Sequence, residues 1–359
     1  MKILITNYDM HYSKINNSLL DFIHSIDLDK HKVDLLLMET GELILDLDKR
    51  VNVIYYKDYM LMPSKFLYKY KKDHIVRDLY NQQRFAFKTK YDVAISYYGH
   101  NNYIDMVSAS VKANKKIIYV QNSLTDISNS MKKVLLNKYS YFDNIVFTTK
   151  NNMDIFNNIM PELKDKTLYI NNIIDSKRVI KLSKEKTTIN LGKSFNIVNI
   201  SNLNKENHID TLIDIHRYLK EKGKNVKTYV IGDGELSYKL AEKIRKYNLI
   251  DSFIMLGKQA NPYNILNQAN LYINISSSDK FNNTLLEAAV LGIPFITNDT
   301  IVNREIVSLL PINNGKLSVI EEIPKNIIKY MKEYNNKATF DYKTYEKDTK
   351  QKIEELLFK

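Results

Sequence analysis

Residues 276–294 read SSSDKFNNTLLEAAVLGIP, and nearly every position has a mechanical meaning. A polar loop carries a carboxylate at Asp279. A helix over 284–291 carries a second, Glu287, eight residues on, and Gly292 turns the chain into a strand over 293–297. Loop, helix, glycine turn and strand make the repeating unit of a parallel sheet covered by helices. In such sheets ligands sit beyond the carboxyl ends of the strands, so the loop and the start of the helix are where binding is expected. Backbone N–H groups of Asn283, Thr284 and Leu285 at the positive end of the helix dipole suit a phosphate. Glu287, one turn in, suits a ribose diol, and Asp279 suits hydroxyls of a group attached beyond the phosphates. Thr284-Leu285-Leu286-Glu287 also reads as a capping box, in which Glu287 merely bonds back to the N-cap amide.

The same unit extends in both directions. Strands are expected at 2–6, 33–38, 51–56, 92–97, 116–120, 144–148 and 167–170, with helices at 14–27, 75–88, 102–113, 129–139 and 151–159. A lysine-rich stretch without periodicity, Asp175 to Ser194, interrupts the alternation and is the expected hinge. Strands at 195–201, 226–231, 253–256, 271–275 and 293–297 then alternate with helices near 208–222, 235–247, 260–268, 284–291 and 321–334. The expected fold class is therefore α/β, with two doubly wound Rossmann-like domains facing each other across a cleft. The domains are 1–175 and 176–335, and 336–359 forms a C-terminal helix that packs back across them.

Composition narrows the function. The 359 residues are 44% hydrophobic and 26% charged, which a disordered chain is not. With no cysteine, disulfides, thiolate metal sites and cysteine nucleophiles are excluded. No apolar run reaches the roughly 20 residues of a membrane-spanning helix, and the first residues read as a strand, so a cytoplasmic location is expected. The 53 Lys+Arg against 41 Asp+Glu give a net charge of +12, spread over both halves. No nucleic-acid-binding motif accompanies it, and nucleic acid is not an expected partner. No G-x-S-x-G, P-loop or complete G-x-G-x-x-G is present, which removes the main support for hydrolase, NTPase and dinucleotide readings.

The 276–294 stretch resembles the E-x7-E signature of glycosyltransferase family 4, S-x-x-E-G-x-P-x-x-x-L-E-A-x-A-x-G-x-P. Glu287, its helix, Gly292 and Pro294 match; Asp279, Lys280 and Asn282 replace the first glutamate, the glycine and the proline. Other outlines appear in order. Ile231-Gly232-Asp233-Gly234-Glu235 resembles the family's G-x-G turn, and Gly257-Lys258 resembles the step whose second residue lies by the nucleotide base. Asn171-Asn172-Ile173-Ile174-Asp175 looks like the junction between domains, and Arg304-Glu305-Ile306 like the stretch after the last core strand. The resemblance implies the GT-B fold and transfer of a sugar from a nucleotide-sugar donor with retention of configuration. Such a reaction runs by positioning and charge stabilisation, with no cofactor and no metal expected. The implied acceptor is a cell-envelope glycan, glycolipid or glycoprotein precursor, lipid-linked acceptors included.

The departures concern the diphosphate. Aligning residues 199–208 on the family pattern puts Asn202 where relatives carry an arginine and Asn207 where they carry a lysine. Losing two charge-assisted hydrogen bonds of about 1.5–3 kcal/mol each weakens diphosphate stabilisation roughly 10²–10⁴-fold. Lys205, Lys258 and Lys280 are the cations expected to compensate, against a reading of all three as solvated surface lysines. In the first domain no glycine follows the opening strand. Gln121 stands where many relatives carry a cleft histidine, which leaves His100 and Gln121 as the acceptor-side candidates. These departures sustain a rival reading, a catalytically inactive GT-B partner or glycan-binding subunit, and a third, a sugar-nucleotide epimerase.

Between Lys57 and Lys90 nine Lys/Arg interleave with seven aromatics. An interfacial helix or loop of this kind would dock on an anionic membrane surface, placing the protein peripherally on the inner membrane face, where a lipid-linked acceptor is within reach. A solvated helix with its aromatics in the core is the equal alternative. The D-x-D pairs Asp27/Asp29 and Asp46/Asp48 do not close a buried strand, as a metal-dependent nucleotide-sugar site would want.

Overall fold

The computed structural model describes residues 1–56, 80–81, 88–97, 99, 102–121, 127–278, 280–310, 315–333 and 339–358. They divide into two units, Met1–Ile174 with Glu346–Lys359, and Asp175–Tyr345. The first unit is built on seven strands, β1 (Lys2–Asn7), β2 (Lys32–Leu37), β3 (Asn52–Tyr55), β4 (Lys90–Ser96), β5 (Lys112–Val120), β6 (Asn144–Phe147) and β7 (Thr167–Tyr169). All neighbours pair in parallel in the order β3-β2-β1-β4-β5-β6-β7, with Ile3 opposite Val33 on one side and Val93 on the other.

Near-continuous apolar runs such as Leu35-Leu36-Leu37 follow from this topology, because a parallel sheet is buried on both faces. Alternate side chains sort accordingly. Leu4, Leu36, Ala94 and Ile118 pack on one face with Met106, Tyr139 and Phe156 of the helices Asn102–Ser110, Asn129–Ser140 and Lys150–Ile159. Ile3, Ile5, Leu35, Val93 and Ile117 pack on the other with Leu19, Leu20 and Ile23 of the helix Lys14–Ser25. Ile353, Leu356 and Leu357, from the end of the helix Tyr342–Phe358, complete that second face. β5 begins at Lys112, four residues before the expected start, because Lys112 and Ala113 still find partners in Lys90 and Tyr91 of β4.

The second unit carries β8 (Phe195–Ile200), β9 (Val226–Ile231), β10 (Phe253–Gly257), β11 (Leu271–Asn274), β12 (Phe295–Asn298) and β13 (Gly315–Ser318), again all parallel, in the order β10-β9-β8-β11-β12-β13. Ile197, Val230, Ile273 and Ile296 meet Leu212, Ile213 and Leu219 of the helix Ile209–Glu221 and Ile323 and Ile327 of the helix Ile323–Glu333.

Three elements of this unit differ from the sequence expectation. The lysine-rich stretch read as aperiodic opens with a helix, Ser176–Ser183, started by Asp175, whose carboxylate accepts the N–H of Arg178 at 2.9 Å. The helix Ile301–Ser308 and strand β13 were not expected; both are short, and Gly315-Lys316-Leu317-Ser318 holds one large apolar residue. β13 is an edge strand whose flanking Gly315 admits the ring of Phe295, since a Cβ there would sit 2.0 Å from it.

Candidate functional site

Strand order in the second sheet reverses between β8 and β11, so the loops after these two strands flank the switch point at its carboxyl edge. They are stitched together: Ser277 N–H donates to the carbonyl of Glu206 at 2.9 Å, and the hydroxyls of Ser276 and Ser277 donate to the same oxygen at 3.2 and 3.3 Å. Asn298 Nδ2, at the end of β12, holds the carbonyl of Ser276 at 2.9 Å.

The helix after β11 runs Asn283–Val290 and is buried along its whole length. Its N-cap is Asn282, two residues before the Thr284 of the capping-box reading, and Asn282 Oδ1 accepts Thr284 N–H at 3.3 Å while its carbonyl accepts Leu285 N–H at 3.2 Å. Glu287 is therefore the fifth helical residue, not the N3 member of a box, and the capping-box reading is corrected. Its Oε1 accepts the hydroxyl of Tyr263 at 3.0 Å. Glu287 is 7% exposed and Tyr263 is 3% exposed. Tyr263 opens the short helix Tyr263–Leu266, where Asn261 Oδ1 accepts its N–H at 3.0 Å, and the guanidinium of Arg178 lies 5.7 Å from its ring centre.

Around Glu287 the interior stays polar. Tyr272 on β11 is fully buried, and its phenol is pushed up, first by burial and then by the charge of Glu287; Thr284, Asn274 and Asn282 border it. Asn274 Oδ1 accepts Ser276 N–H at 3.3 Å, while its Nδ2 is buried with no hydrogen-bond partner among the described residues.

The loop after β8 answers the question raised by Asn202 and Asn207. Asn207 is buried, and its Nδ2 donates to Asn202 O at 2.8 Å and to Asn204 Oδ1 at 2.7 Å. Its amide protons therefore hold the loop together. Asn202 and Lys205 are exposed on this loop. Gly232 and Gly234 lie against the same backbone, because a Cβ at Gly232 would come 2.0 Å from Ser201 O and one at Gly234 2.5 Å from Leu203 O. Gly257 takes φ +67° in open space, and Lys258 beyond it is exposed. Lys258 helps, after the Ser237 hydroxyl and the Gly234 N–H, to hold the Asp233 carboxyl below its ordinary value. Lys280 is exposed beside the β11 loop, and Asp279 lies outside the described residues. Arg304 grips Asp299 through Nε at 2.6 Å and Nη2 at 2.8 Å.

In the first unit the switch point lies between β1 and β4. The loop after β1 winds around two buried asparagines. Asn7 Nδ2 donates to Asp9 O and Asn16 Oδ1, and Asn16 Nδ2 donates to Asp9 Oδ1 and His11 O. A close backbone approach occurs here after all, supplied by Gly41 of the β2 loop, whose Cβ would fall 2.0 Å from Met10. Gln121, just past β5, is 4% exposed and borders the Tyr97 phenol, and among the described residues its Nε2 has no hydrogen-bond partner. His100 lies outside the described residues, although its neighbour Gly99 does not; Lys138 Nζ donates to the Gly99 carbonyl at 3.3 Å.

Of the basic and aromatic stretch only Tyr80, Asn81 and Lys88 to Lys90 belong to the described residues, and the Tyr80 ring stacks on Tyr141 at 4.5 Å. The D-x-D carboxylates serve Arg50, which Asp29 Oδ1 and Asp48 Oδ2 accept at 2.6 and 2.7 Å. Tyr263, Tyr272 and Arg178 escaped the sequence reading. Asn261-Pro262 announces a helix start, but nothing in the sequence ties Tyr263 to a carboxylate 24 positions later.

Comparison with known proteins adds to this geometry. Residues 180–347 match the family described as "Glycosyl transferases group 1". An uncharacterized glycosyltransferase of Methanocaldococcus jannaschii, MJ1059, is 32% identical over 195 residues, 52% of this chain and 48% of that one. The match thus spans about half the length of that curated relative. Among solved structures, HepE of Anabaena in complex with UDP and glucose superposes with a TM-score of 0.76 at 16% identity, over 99% of both chains. TarM of S. aureus, a variant in complex with Fondaparinux, alpha-GlcNAc-glycerol and UDP, superposes with a TM-score of 0.68 at 13% identity, over 99% of this chain and 96% of that one. The chain shares with these proteins the GT-B fold, two Rossmann-like units each built on a parallel sheet.

Proposed function

We propose that the chain is a retaining glycosyltransferase of family 4 type, which moves a hexose or similar sugar from a nucleotide-sugar donor to a glycan, glycolipid or glycoprotein precursor of the cell envelope. One observation carries the reading: a buried carboxylate, Glu287, is kept inside a wholly buried helix beside the switch point of the second sheet. A buried carboxylate costs several kcal/mol unless polar groups meet it, as the Tyr263 hydroxyl meets Glu287. Its remaining acceptor lone pairs suit the two hydroxyls of a ribose diol. The match of residues 180–347 and the UDP and glucose in the HepE complex support the same chemistry.

Within this reading Glu287 takes the ribose, Asp279 the donor sugar, and Gly257 and Lys258 the base. The phosphates meet the start of the helix Asn283–Val290, where the long bonds of Thr284 and Leu285 N–H to Asn282 are weak enough to exchange for a phosphate oxygen. Lys205, Lys258 and Lys280, all exposed on loops at the carboxyl edge, supply the positive charge that Asn202 and Asn207 do not. No metal or other cofactor enters the scheme. His100 and Gln121 belong to the acceptor side, and the stretch 57–90 brings the protein to an anionic membrane at its cytoplasmic face.

The internal use of Asn207 favours the second reading, an inactive GT-B subunit, because the loop is then built for its own order. Thermal shift with UDP, GDP and ADP, followed by assay of the matching nucleotide sugar for hydrolysis or transfer, separates the two. An active transferase is stabilised by one diphosphate and turns over its sugar nucleotide; an inactive subunit shows neither.

A further inference from the structure

We propose that Tyr263 is a positioning residue for nucleotide recognition: its phenol fixes the carboxylate of Glu287 in the orientation that takes the ribose diol. The inference rests on the nucleotide reading of the site given above.

Tyr263 reaches Glu287 across 24 positions of sequence because the short helix Tyr263–Leu266 and the helix Asn283–Val290 both pack against the helix Ser176–Ser183. Each end of the tyrosine is fixed separately. Its backbone is set by Asn261 Oδ1 and by Pro262 before it, and its ring lies 5.7 Å from the Arg178 guanidinium. Asn261 Nδ2 in turn donates to Leu182 O at 2.8 Å and to Glu185 Oε2 at 2.9 Å, which ties this turn to the helix Ser176–Ser183 and the residues after it. A phenol so placed has little rotational freedom, so its O–H defines where Oε1 of Glu287 lies at 3.0 Å. Without that donor Oε1 loses a fixed contact, and more of the ordering of the carboxylate is left to the diol on binding. Tyr272, also near Glu287, offers no such hold, since the side chains that border its hydroxyl are Thr284, Asn274 and Asn282 and Glu287 acts on it only through its charge.

The test is calorimetric titration of the full chain and of Tyr263→Phe with UDP, GDP and ADP, each also as its 2′,3′-dideoxy form. Expected is a loss of about 3–10-fold in affinity for the ribonucleotide that binds, the size of one modest hydrogen bond, with the dideoxy form unaffected by the substitution. In a Glu287→Ala background, which has no acceptor for the phenol, Tyr263→Phe should lower the remaining diphosphate affinity no further, the sign of a shared interaction. Equal weakening of ribo and dideoxy forms would mean a purely structural tyrosine. Equal affinity of Tyr263→Phe and the unmodified chain for the ribonucleotide would also overturn the proposal. If the unmodified chain binds none of the three diphosphates, the nucleotide reading fails and this inference with it; if it binds them without discriminating the dideoxy forms, the nucleotide reading stands and this inference is overturned. Circular dichroism and melting of Tyr263→Phe separate misfolding from these outcomes, and Tyr263→Trp, which keeps a large ring but moves the donor, provides a second variant with the same predicted selectivity loss.

Discussion

Lys138 Nζ lies 2.8 Å from Asp105 Oδ2, with the two side chains 1% and 0% exposed. Ser96 Oγ donates to the other carboxylate oxygen at 2.7 Å, and the same ammonium reaches the Gly99 carbonyl. The charge pair thus joins the helices Asn102–Ser110 and Asn129–Ser140, while the Ser96 and Gly99 bonds tie it to the end of β4 and the turn that follows.

Removing one partner leaves a buried charge. Asp105→Ala should destabilise the first unit by about 3–5 kcal/mol, whereas the double change Asp105→Leu with Lys138→Met should restore most of that loss. Urea denaturation of the unmodified chain and the two variants checks this; equal damage by the single and the double change would contradict it.

His216 is fully buried, its Nδ1 paired with Thr228 Oγ1 at 2.8 Å and its Nε2 with Ser252 Oγ at 2.9 Å. Burial lowers its pKa from 6.5 to about 4, with a smaller contribution from Lys220. The folded state therefore binds fewer protons than the unfolded one between these values. Its stability contribution is complete above pH 6.5 and is lost as pH falls towards 4, by about 3 kcal/mol in all at 1.36 kcal/mol per unit. Denaturation of the unmodified chain and of His216→Gln at pH 7.5, 5.5 and 4.5 checks it, because other titrating groups cancel in the comparison. Parallel pH profiles would sink the assignment.

Gly232 and Gly257 both have positive φ but differ in surroundings. Gly257→Ala meets open space and should lose about 1–2 kcal/mol for its left-handed backbone alone. Gly232→Ala drives a Cβ into Ser201 O and should lose more, as well as displacing the loop after β8 and weakening nucleotide binding. Melting temperatures and diphosphate affinities of the two variants compare directly.

Asn207→Asp replaces two N–H donors by a carboxylate facing Asn202 O and Asn204 Oδ1. Three acceptors then face one another, and the expected loss is about 1–3 kcal/mol, with greater protease sensitivity near residues 202–208. An unchanged melting temperature would show that the loop does not depend on this amide.

Much of the architecture was legible because the strands are apolar on both faces: Lys2-Ile3-Leu4-Ile5-Thr6 and Val226 to Ile231 admit few other readings. What escaped was short, polar or peripheral. β13 has one leucine and gains its place from β12, and the helix Ser176–Ser183 hides among lysines, marked only by the capping carboxylate of Asp175. At the candidate site, the helix bearing Glu287 could be read from its own sequence. That Glu287 does not cap the helix could not, because it turned on Asn282 taking the cap and on Tyr263 arriving from another turn. The internal use of Asn207 was equally invisible, since alignment shows which residue replaces a lysine and not where its amide points.

The most direct measurement is diphosphate binding by the unmodified chain and by Glu287→Ala, read as thermal stabilisation with UDP, GDP and ADP at millimolar concentration. A Kd a hundred times below the ligand concentration corresponds to about 2.7 kcal/mol of added stability, a shift of several degrees. The account predicts that one diphosphate gives such a shift in the unmodified chain and that Glu287→Ala, folded by circular dichroism, loses it. No shift with any of the three, or the same shift in both proteins, would contradict it.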